Sequence, residues 1–258
     1  MRKKVRRRPL RWYVIWVFIF SFLFASLVLF LVNLPVWDIR EVEVTGNQYL
    51  FRDDLLKLAD IPLGDNIFLT RFDKARKTFD KIVQIEKVNF KRRLPHRLEI
   101  QIIERKPFAV AIISGNSTII DRAGYILDSG SIALPLTGKF ILPHASIDSS
   151  KLPVVSGIDE KELIGGYYIK KEFSQTVFDL FPKLTIFFKQ SNLNIQFNGL
   201  ENVSVLINDI TKVRFGPIEN MEEKMRVLKY LLEVSRPKAN EIEYIDVRLT
   251  QNPVIKYR

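Results

Sequence analysis

The feature that most constrains this chain is an apolar stretch from Trp12 to Val32, in which Ser21 and Ser26 are the only polar side chains among 21 residues. As a helix it would be about 32 Å long, enough to cross the roughly 30 Å hydrocarbon core of a bilayer. Cleaved signal peptides have shorter apolar cores, of about 7–15 residues, followed by a small-x-small site. This stretch ends without such a site, so the sequence predicts an uncleaved transmembrane helix.

The basic residues on either side of this stretch predict its orientation. Residues 1–11 carry seven basic side chains and no acidic one, whereas residues 33–52 carry two, Arg40 and Arg52. Because basic residues are retained on the cytoplasmic side, the N-terminus is expected in the cytoplasm. Everything from about Pro35 onward is then extracytoplasmic.

The net charge of +11 does not indicate nucleic-acid binding once its location is considered. The remaining 247 residues hold 33 basic and 29 acidic side chains. A domain that binds the phosphate backbone of a nucleic acid should carry its excess of positive charge on its folded surface. We therefore expect no nucleic-acid partner. The chain has no cysteine, which excludes disulfides, thiol catalysis and cysteine metal sites and is compatible with a bacterial envelope.

Residues 38–106 predict the order strand, helix, helix, strand, strand. Thr70 is expected to cap the second helix, with Asp73 completing a capping box. This order predicts a small three-stranded sheet with two helices on one face. The predicted elements are strand Ile39–Thr45 with its turn Gly46-Asn47, helix Phe51–Ala59, a second helix with apolar positions Phe72, Ala75, Phe79 and Ile82, and strands Val88–Phe90 and Leu98–Ile102.

After Pro107 short apolar runs alternate with turn residues, which is typical of antiparallel β structure. Two helices interrupt it. The first, near Lys170–Phe181, should be closed by Pro182; the second should open at Asn220 with Glu223 in a capping box. Its buried stripe is predicted at Met221, Met225, Leu228 and Leu232, with an end at Ser235-Arg236-Pro237. The predicted strands are Phe108–Ile113, Ser117–Asp121, Asn194–Phe197, Val203–Ile207, Lys212–Phe215, Ile242–Leu249 and Val254–Tyr257.

Several segments, taken in order behind the basic tail and the apolar helix, resemble the FtsQ/DivIB family of bacterial cell-division proteins. The turn VEVTGN is followed by IPLGDNIFLTRFD, and the segment VNFKRRLPHRLEIQIIERKPFAV resembles the closing strand pair of the family's POTRA domain. IIDRAGYIL is similar to its Asp-x-x-Gly stretch, and VRFGPIENMEEKMRVLKYLL and IEYIDVRLTQNPVIKY resemble its last helix and terminal strands. The sequence departs from the family at Phe215-Gly216, where Leu-Gly is more usual, and in its short cytoplasmic tail.

The resemblance implies an α+β protein with four parts: a cytoplasmic tail (1–11), a transmembrane helix (12–34), a POTRA domain (38–107) and a mostly antiparallel β domain with two helices (108–258). It implies a single-pass scaffold in the bacterial plasma membrane, at the division septum. Its partners would be FtsB/DivIC-type and FtsL-type bitopic proteins and, through them, the septal peptidoglycan synthase. No cofactor is expected, and membrane lipid is expected as a partner through the anchor.

Two alternatives remain open at this point: an envelope enzyme acting on peptidoglycan, and a POTRA-containing assembly or secretion factor. The sequence offers little for catalysis. His96 and His144 lack metal-pair spacing, and Ser235–Lys238 matches Ser-x-x-Lys without its usual companion motifs. The basic stretch Lys91–Arg97 is expected to be a solvated hairpin or, alternatively, a contact for anionic lipid headgroups.

The C-terminal strand is the predicted partner-docking edge. Pro253 suits the start or edge of a strand, and an edge strand can be extended by an incoming segment. Ile245, Val247 and Leu249 are expected to share a buried face. Ile255 or Tyr257 would supply an apolar anchor, and Arg248 or Lys256 would meet acidic residues. The resemblance also implies this contact; the predicted partner-binding residues are Arg248, Thr250, Val254, Ile255, Lys256 and Tyr257.

Overall fold

The computed structural model describes residues 10–128, 138–188, 191–235 and 241–258. Within these ranges the chain forms an N-terminal apolar helix, a small unit of three strands and two helices, and a large sheet covered by two further helices. This is the α+β architecture that the sequence predicts.

The apolar stretch is a helix, α1 (Leu10–Val32), followed by a short 3-10 turn at Pro35–Trp37. Its span Trp12–Val32 has a mean hydropathy of 2.8, and no part of the most apolar window is buried against the rest of the chain. Since an apolar helix with no protein cover is stable only in an apolar surrounding, α1 fits a transmembrane anchor.

The unit after the anchor has the predicted element order. Its central strand β3 is parallel to β1 and antiparallel to β2. Leu98, Ile100 and Ile102 alternate along β3 and are all buried, while Leu55 and Phe79 bring the two helices onto the same core. The elements are β1 (Glu41–Thr45), α2 (Arg52–Ala59), α3 (Asp73–Phe79), β2 (Ile85–Arg93) and β3 (Arg97–Glu104).

The turn after β1 requires its glycine. Gly46 has φ +86°, and a Cβ at this position would overlap the carbonyl oxygen of Ile102 on β3. Both the left-handed backbone and the close approach exclude a larger residue. The predicted Gly46-Asn47 turn is confirmed, and the Asn47 amide donates to the Leu50 carbonyl oxygen at 3.0 Å.

The predicted cap of α3 is wrong. The helix begins at Asp73 with Phe72 as its N-cap residue and no side-chain cap. Thr70 lies two residues too early, and its hydroxyl instead donates to the Asn66 carbonyl oxygen at 2.7 Å. Thr70 and Asp73 have the spacing of a capping box, but the Thr70 hydroxyl bonds the preceding turn and not the start of the helix.

The C-terminal part is a mixed, mostly antiparallel sheet of nine strands in the order β14-β13-β12-β11-β10-β7-β4-β5-β6. Three neighbouring pairs are parallel: β4 with β7, β7 with β10, and β12 with β13. The sequence did not predict β7, which lies in the middle of the sheet. The strands are β4 (Pro107–Ile113), β5 (Asn116–Asp121), β6 (Ile126–Asp128), β7 (Val154–Ile158), β10 (Leu193–Phe197), β11 (Val203–Ile207), β12 (Thr211–Gly216), β13 (Ile242–Asp246) and β14 (Val254–Tyr257), with a small separate pair β8 (Leu163–Ile164) and β9 (Tyr168–Ile169).

The helices α4 (Lys171–Phe187) and α5 (Met221–Val234) cover one face of this sheet, because their buried side chains belong to one core with the inward residues of the strands. The prediction that Pro182 closes α4 is wrong, since the helix continues five residues beyond it. Proline removes one helical hydrogen bond, but Leu184 is fully buried and Phe187 packs against the core. Burial of these side chains holds the last turn in place.

The predicted buried stripe of α5 and its start at Asn220 are confirmed, but the predicted capping box does not form. Met225 and Leu228 are buried, and Met221 and Leu232 pack half-buried against the same core. Asn220 has a left-handed backbone and makes no capping hydrogen bond. The helix ends at Val234, with Ser235 as its C-cap residue; residues 236–240 lie outside the described residues.

A buried ion pair joins the small unit to the large sheet. Arg105 follows β3, and its Nη1 lies 3.0 Å from Oδ2 of Asp121 at the end of β5, with both side chains largely buried. The guanidinium also lies 3.6 Å from the centre of the Tyr125 ring. Oδ1 of Asp121 accepts backbone N–H bonds from Ala123 at 2.9 Å and Tyr125 at 2.7 Å. The carboxylate therefore fixes both a tight turn and the junction.

Candidate functional site: the C-terminal sheet edge

The last strand forms one end of the nine-stranded sheet. Within the described residues, β14 is paired with β13 on one side and with no strand on the other. Val254 and Tyr257 are exposed, and Ile255 is half-buried. The predicted strand Val254–Tyr257 is confirmed in its limits and its position at the sheet edge, where its exposed backbone could pair with another segment.

The two faces of β14 have different surroundings. Ile255 packs against the core beneath α5, and the Tyr257 hydroxyl donates to the Ser235 hydroxyl at 2.9 Å, so both lie on the helix-covered face. Lys256 points to the opposite face, where its Nζ lies 2.7 Å from a Glu243 carboxylate oxygen and 5.8 Å from the Tyr244 ring centre. An incoming strand would therefore meet an apolar side and a charged side.

The turn before β14 is organised by Asp246. Arg248 donates to its carboxylate from Nε at 3.0 Å and from Nη2 at 2.7 Å, and its backbone N–H donates at 3.1 Å. Burial opposes ionisation of Asp246, but the hydrogen bonds and charge of Arg248, together with Arg214, hold its pKa below the ordinary value. The same pairing raises the pKa of Arg248.

The strand before this turn is shorter than predicted. β13 ends at Asp246, and although Ile245 and Val247 are fully buried, Leu249 is 70% exposed. The shared buried face predicted for these three residues is therefore wrong at Leu249, because the turn around Asp246 ends the alternation. Leu249 becomes an exposed apolar side chain beside the edge.

Helix α5 is bonded at its start to the turn before β14 and at its end to β14 itself. The Thr250 hydroxyl donates to Glu223 at 3.0 Å near the start of α5, and Tyr257 bonds Ser235 at its end. Glu223, which the sequence places in a capping box, thus bonds the turn before the edge strand instead. We call the surface formed by β14 and the exposed flank of α5 the docking edge.

The exposed flank of α5 carries two apolar residues that the sequence analysis missed. Tyr230 is 65% exposed and Val234 is 62% exposed. They follow Glu223 at i+7 and i+11, so they share its side of the helix, next to β14. The available signal was their position off the stripe of buried residues, which marked them as apolar side chains without a place in the core.

The six predicted partner-binding residues lie together on this turn and strand, but not all are available in the way expected. Arg248 is occupied by Asp246, and Lys256 is paired with Glu243. An acidic group on a partner would have to compete with these pairs. Val254 and Tyr257 retain exposed surface, and Ile255 contributes mainly to the core of its own sheet.

The residues weighed as catalytic are not brought together. His96 lies in the β2–β3 hairpin turn, and His144 lies on a separate segment with its Nε2 3.7 Å from Asp128. Ser235 is buried and accepts the Tyr257 bond, while Lys238 lies outside the described residues. Among the described residues no cluster of histidine, aspartate or glutamate side chains could hold a metal ion.

Comparison with known proteins agrees with this architecture. Residues 38–105 match the model of the FtsQ-type POTRA domain. The chain is 23% identical to the cell division protein DivIB of Clostridium botulinum (strain Hall) over 92% of its own length and 89% of that protein, and 24% identical to DivIB of Clostridium tetani over 92% and 86%. It is 21% identical to the cell division protein FtsQ of Koribacter versatilis over 83% of its length, covering 58% of that protein.

The chain is similar over most of its length to the cell-division proteins DivIB and FtsQ. The POTRA match covers the β-α-α-β-β unit, and the similarity to the DivIB relatives extends over 92% of the chain. These similarities support a role in cell division. The docking edge is a feature of its last 40 residues, beyond the matched POTRA domain.

Acid should weaken the turn that supports the docking edge. Because the pKa of Asp246 is lowered on folding, its ionised form stabilises the fold above the unfolded pKa of about 4, and this contribution is lost as the pH falls through the folded pKa. Asp246→Ala should lower the free energy of unfolding by about 1–2 kcal/mol at neutral pH, and by progressively less below about pH 4.

Denaturant unfolding of the detergent-solubilised chain at several pH values measures this difference. The control is Asp159→Ala, since Asp159 is paired with Lys161 on the surface and should contribute little at any pH. An Asp246→Ala deficit that is unchanged in acid would show that the carboxylate charge does not support the turn.

Proposed function

We propose that this protein is a single-pass membrane scaffold of the bacterial divisome, located at the septum, whose docking edge takes a strand from an FtsB/DivIC-type partner. An FtsL-type protein would be bound with that partner, and the pair would connect the scaffold to septal peptidoglycan synthesis. The observation that carries the proposal is the position of β14 at the end of a nine-stranded sheet, beside the exposed apolar flank of α5.

The backbone of β14 suits extension of the sheet. The Arg258 N–H donates to the Glu241 carbonyl oxygen at 2.8 Å, so it points toward β13. Successive residues alternate in direction along a strand, which places the N–H and C=O of Ile255 on the side away from β13. A partner segment in extended conformation could bond there, and main-chain bonding of this kind gives affinity with little dependence on sequence.

The side chains around this backbone supply selectivity. On the helix-covered side Tyr257 is partly exposed, and Tyr230 and Val234 add exposed apolar surface on α5, the helix that Tyr257 contacts through Ser235. A partner strand whose alternate residues are apolar would cover them, and buried aromatic contacts of this type dominate many interfaces. On the other side Lys256 is exposed and already paired, so an acidic partner residue there would contribute little to affinity.

Affinity purification of the tagged full chain from membranes of its own host tests the function. We expect small bitopic division proteins, each with one transmembrane helix and a coiled-coil region, to be recovered with it. The matched control is the chain carrying Leu249→Asp and Val254→Asp at the docking edge, both exposed positions outside the core. Recovery of the same proteins with the control in equal yield, or recovery of none with either chain, would contradict the proposal.

The orientation of the anchor gives a separate prediction. Because residues 1–11 carry seven basic side chains and residues 33–52 carry two, the large C-terminal part should lie outside the plasma membrane. Protease added to intact spheroplasts should digest it and leave an N-terminal tag protected. Protection of the C-terminal part, with loss of the tag, would show the opposite orientation.

A further inference from the structure

We propose that the POTRA domain lies directly on the membrane surface, with the loop 63–71 inserting apolar side chains into the lipid headgroup region. The inference rests on α1 being a membrane anchor and goes beyond the partner-binding role proposed above. It concerns a different surface of the molecule and a different ligand, the phospholipid bilayer. We call residues 63–71 the membrane loop.

The membrane loop is bonded to the end of the anchor helix. The Asn66 side-chain amide donates to the Val32 carbonyl oxygen at 2.6 Å, and the Trp37 indole donates to the Leu31 carbonyl oxygen at 2.7 Å. The Trp37 and Phe68 rings are in edge contact with centroids 5.2 Å apart. The loop therefore lies within a few ångströms of the last turn of α1.

The length of the anchor fixes the depth of this contact. A helix of 23 residues is about 34 Å long, close to the roughly 30 Å thickness of the hydrocarbon core, so both ends of α1 lie near the interfaces. The headgroup layer extends about 5–8 Å beyond the core on each side. A loop bonded to the Val32 carbonyl must then lie within this layer.

The backbone around the loop holds it in that position. The Ile39 N–H donates to the Asp65 carbonyl oxygen at 2.8 Å, and the Ile67 N–H donates to the Trp37 carbonyl oxygen at 2.8 Å. From the other side, Arg92 of the β2–β3 hairpin donates to the Ile67 carbonyl oxygen at 2.6 Å. The chain leaving the membrane and the hairpin thus clamp the loop between them.

The side chains that the loop exposes are those that favour an interface. Leu63 is 65% exposed, Phe68 42% and Leu69 63%, and Leu94 at the hairpin tip is 55% exposed. Three exposed large apolar residues within seven positions would be unfavourable in water but gain free energy when covered by lipid. Such a cluster, next to an anchor, indicates lipid contact rather than an ordinary solvated loop.

Basic residues near the membrane loop complement the negative charge of the lipid phosphates. Arg40 and Arg71 are exposed, and the Arg40 backbone bonds His96 in the hairpin turn while its side chain donates to the Pro35 carbonyl oxygen after the anchor. Guanidinium groups at headgroup depth can bind phosphate oxygens. The consequence is a POTRA domain held at a fixed tilt, rather than one moving freely at the end of a tether.

The absence of native cysteine permits a direct depth measurement. Single cysteines are placed at Leu69, at Leu249 as an exposed position in the turn between β13 and β14, and at Leu23 in the middle of α1. Each is labelled with an environment-sensitive fluorophore. The full chain is reconstituted in phosphatidylcholine vesicles containing phosphatidylglycerol. Quenching is measured with lipid-attached nitroxide and with aqueous iodide.

We expect the label at Leu69 to be quenched by nitroxide lipid at least about threefold more than the label at Leu249, because interfacial groups are buried about 5–10 Å into the headgroup boundary. Adding Leu63→Asp and Phe68→Asp should remove this excess, while Ile164→Asp, at an exposed position distant from the loop, should not. Iodide quenching at Leu69 equal to that at Leu249, with Leu23 still quenched by lipid, would overturn the inference. If Leu23 is also inaccessible to lipid, the anchor itself is refuted and the inference with it.

Discussion

Asp121→Ala is expected to lower the free energy of unfolding by about 3 kcal/mol, as breaking one partner of a buried ion pair typically does. The substitution leaves the Arg105 guanidinium buried without its carboxylate and removes the acceptor for two backbone N–H groups of the following turn. The guanidinium and the two N–H groups lose water on folding, so water does not fully replace the hydrogen bonds that they lose when the carboxylate is removed.

Denaturant unfolding of the detergent-solubilised chain, followed by far-ultraviolet circular dichroism, measures this loss. Asp148→Ala is the matched control, because Asp148 is exposed and bonds Ser150 in its own turn. The control should change stability by less than about 0.5 kcal/mol. Equal effects of the two substitutions would show that the junction between the POTRA domain and the sheet does not depend on this ion pair.

Truncation after Asn252 is expected to reduce partner binding about a hundredfold or more, since it removes the whole of β14 and its backbone bonding groups. The POTRA domain should remain folded, because β14 makes no ladder with it. The anchored chain, truncated or full-length, is co-reconstituted with its division partner and its binding affinity is measured. Folding is followed by the protection of the POTRA amides from hydrogen exchange.

Lys256→Ala serves as the matched control for the truncation. It removes the exposed pair with Glu243 but keeps the strand, and it should change affinity by less than about threefold. Undiminished binding by the truncated chain would place the partner elsewhere on the molecule. A large effect of Lys256→Ala would show that charge, and not backbone pairing, determines the interaction.

Periodicity carried most of the fold information in this sequence. The alternation of Leu98, Ile100 and Ile102 and the stripe on α5 follow from simple spacing rules, because burial on one side of an element repeats at a fixed interval. The anchor follows instead from the length of its apolar run. The edge position of β14 also followed from a local signal, Pro253.

The errors arose where tertiary contacts override local preference. Thr70 and Glu223 have the spacing of caps but bond Asn66 and Thr250 instead, and Pro182 lies inside a helix that packing prolongs. Strand β7 has a short, glycine-containing sequence, and its central place depends on two parallel neighbours distant in sequence.

The apolar flank of the docking edge was missed for a related reason. Tyr230 and Val234 contribute nothing to the periodic stripe, and the bonds from Thr250 and Tyr257 show that α5 is attached to β14 and to the turn before it. A site formed by one side of a helix and a separate strand can be recognised only from the contact between them in the structure.

The most direct test of the docking edge compares Ile255→Pro with Ile255→Ala in the full anchored chain. Both substitutions shorten the half-buried side chain, but only proline removes an N–H that points away from β13. We predict that the proline variant binds the division partner at least about tenfold more weakly than the alanine variant, a difference of about 1.4 kcal/mol, while their thermal unfolding is similar. Equal affinity of the two folded variants would contradict strand addition at β14.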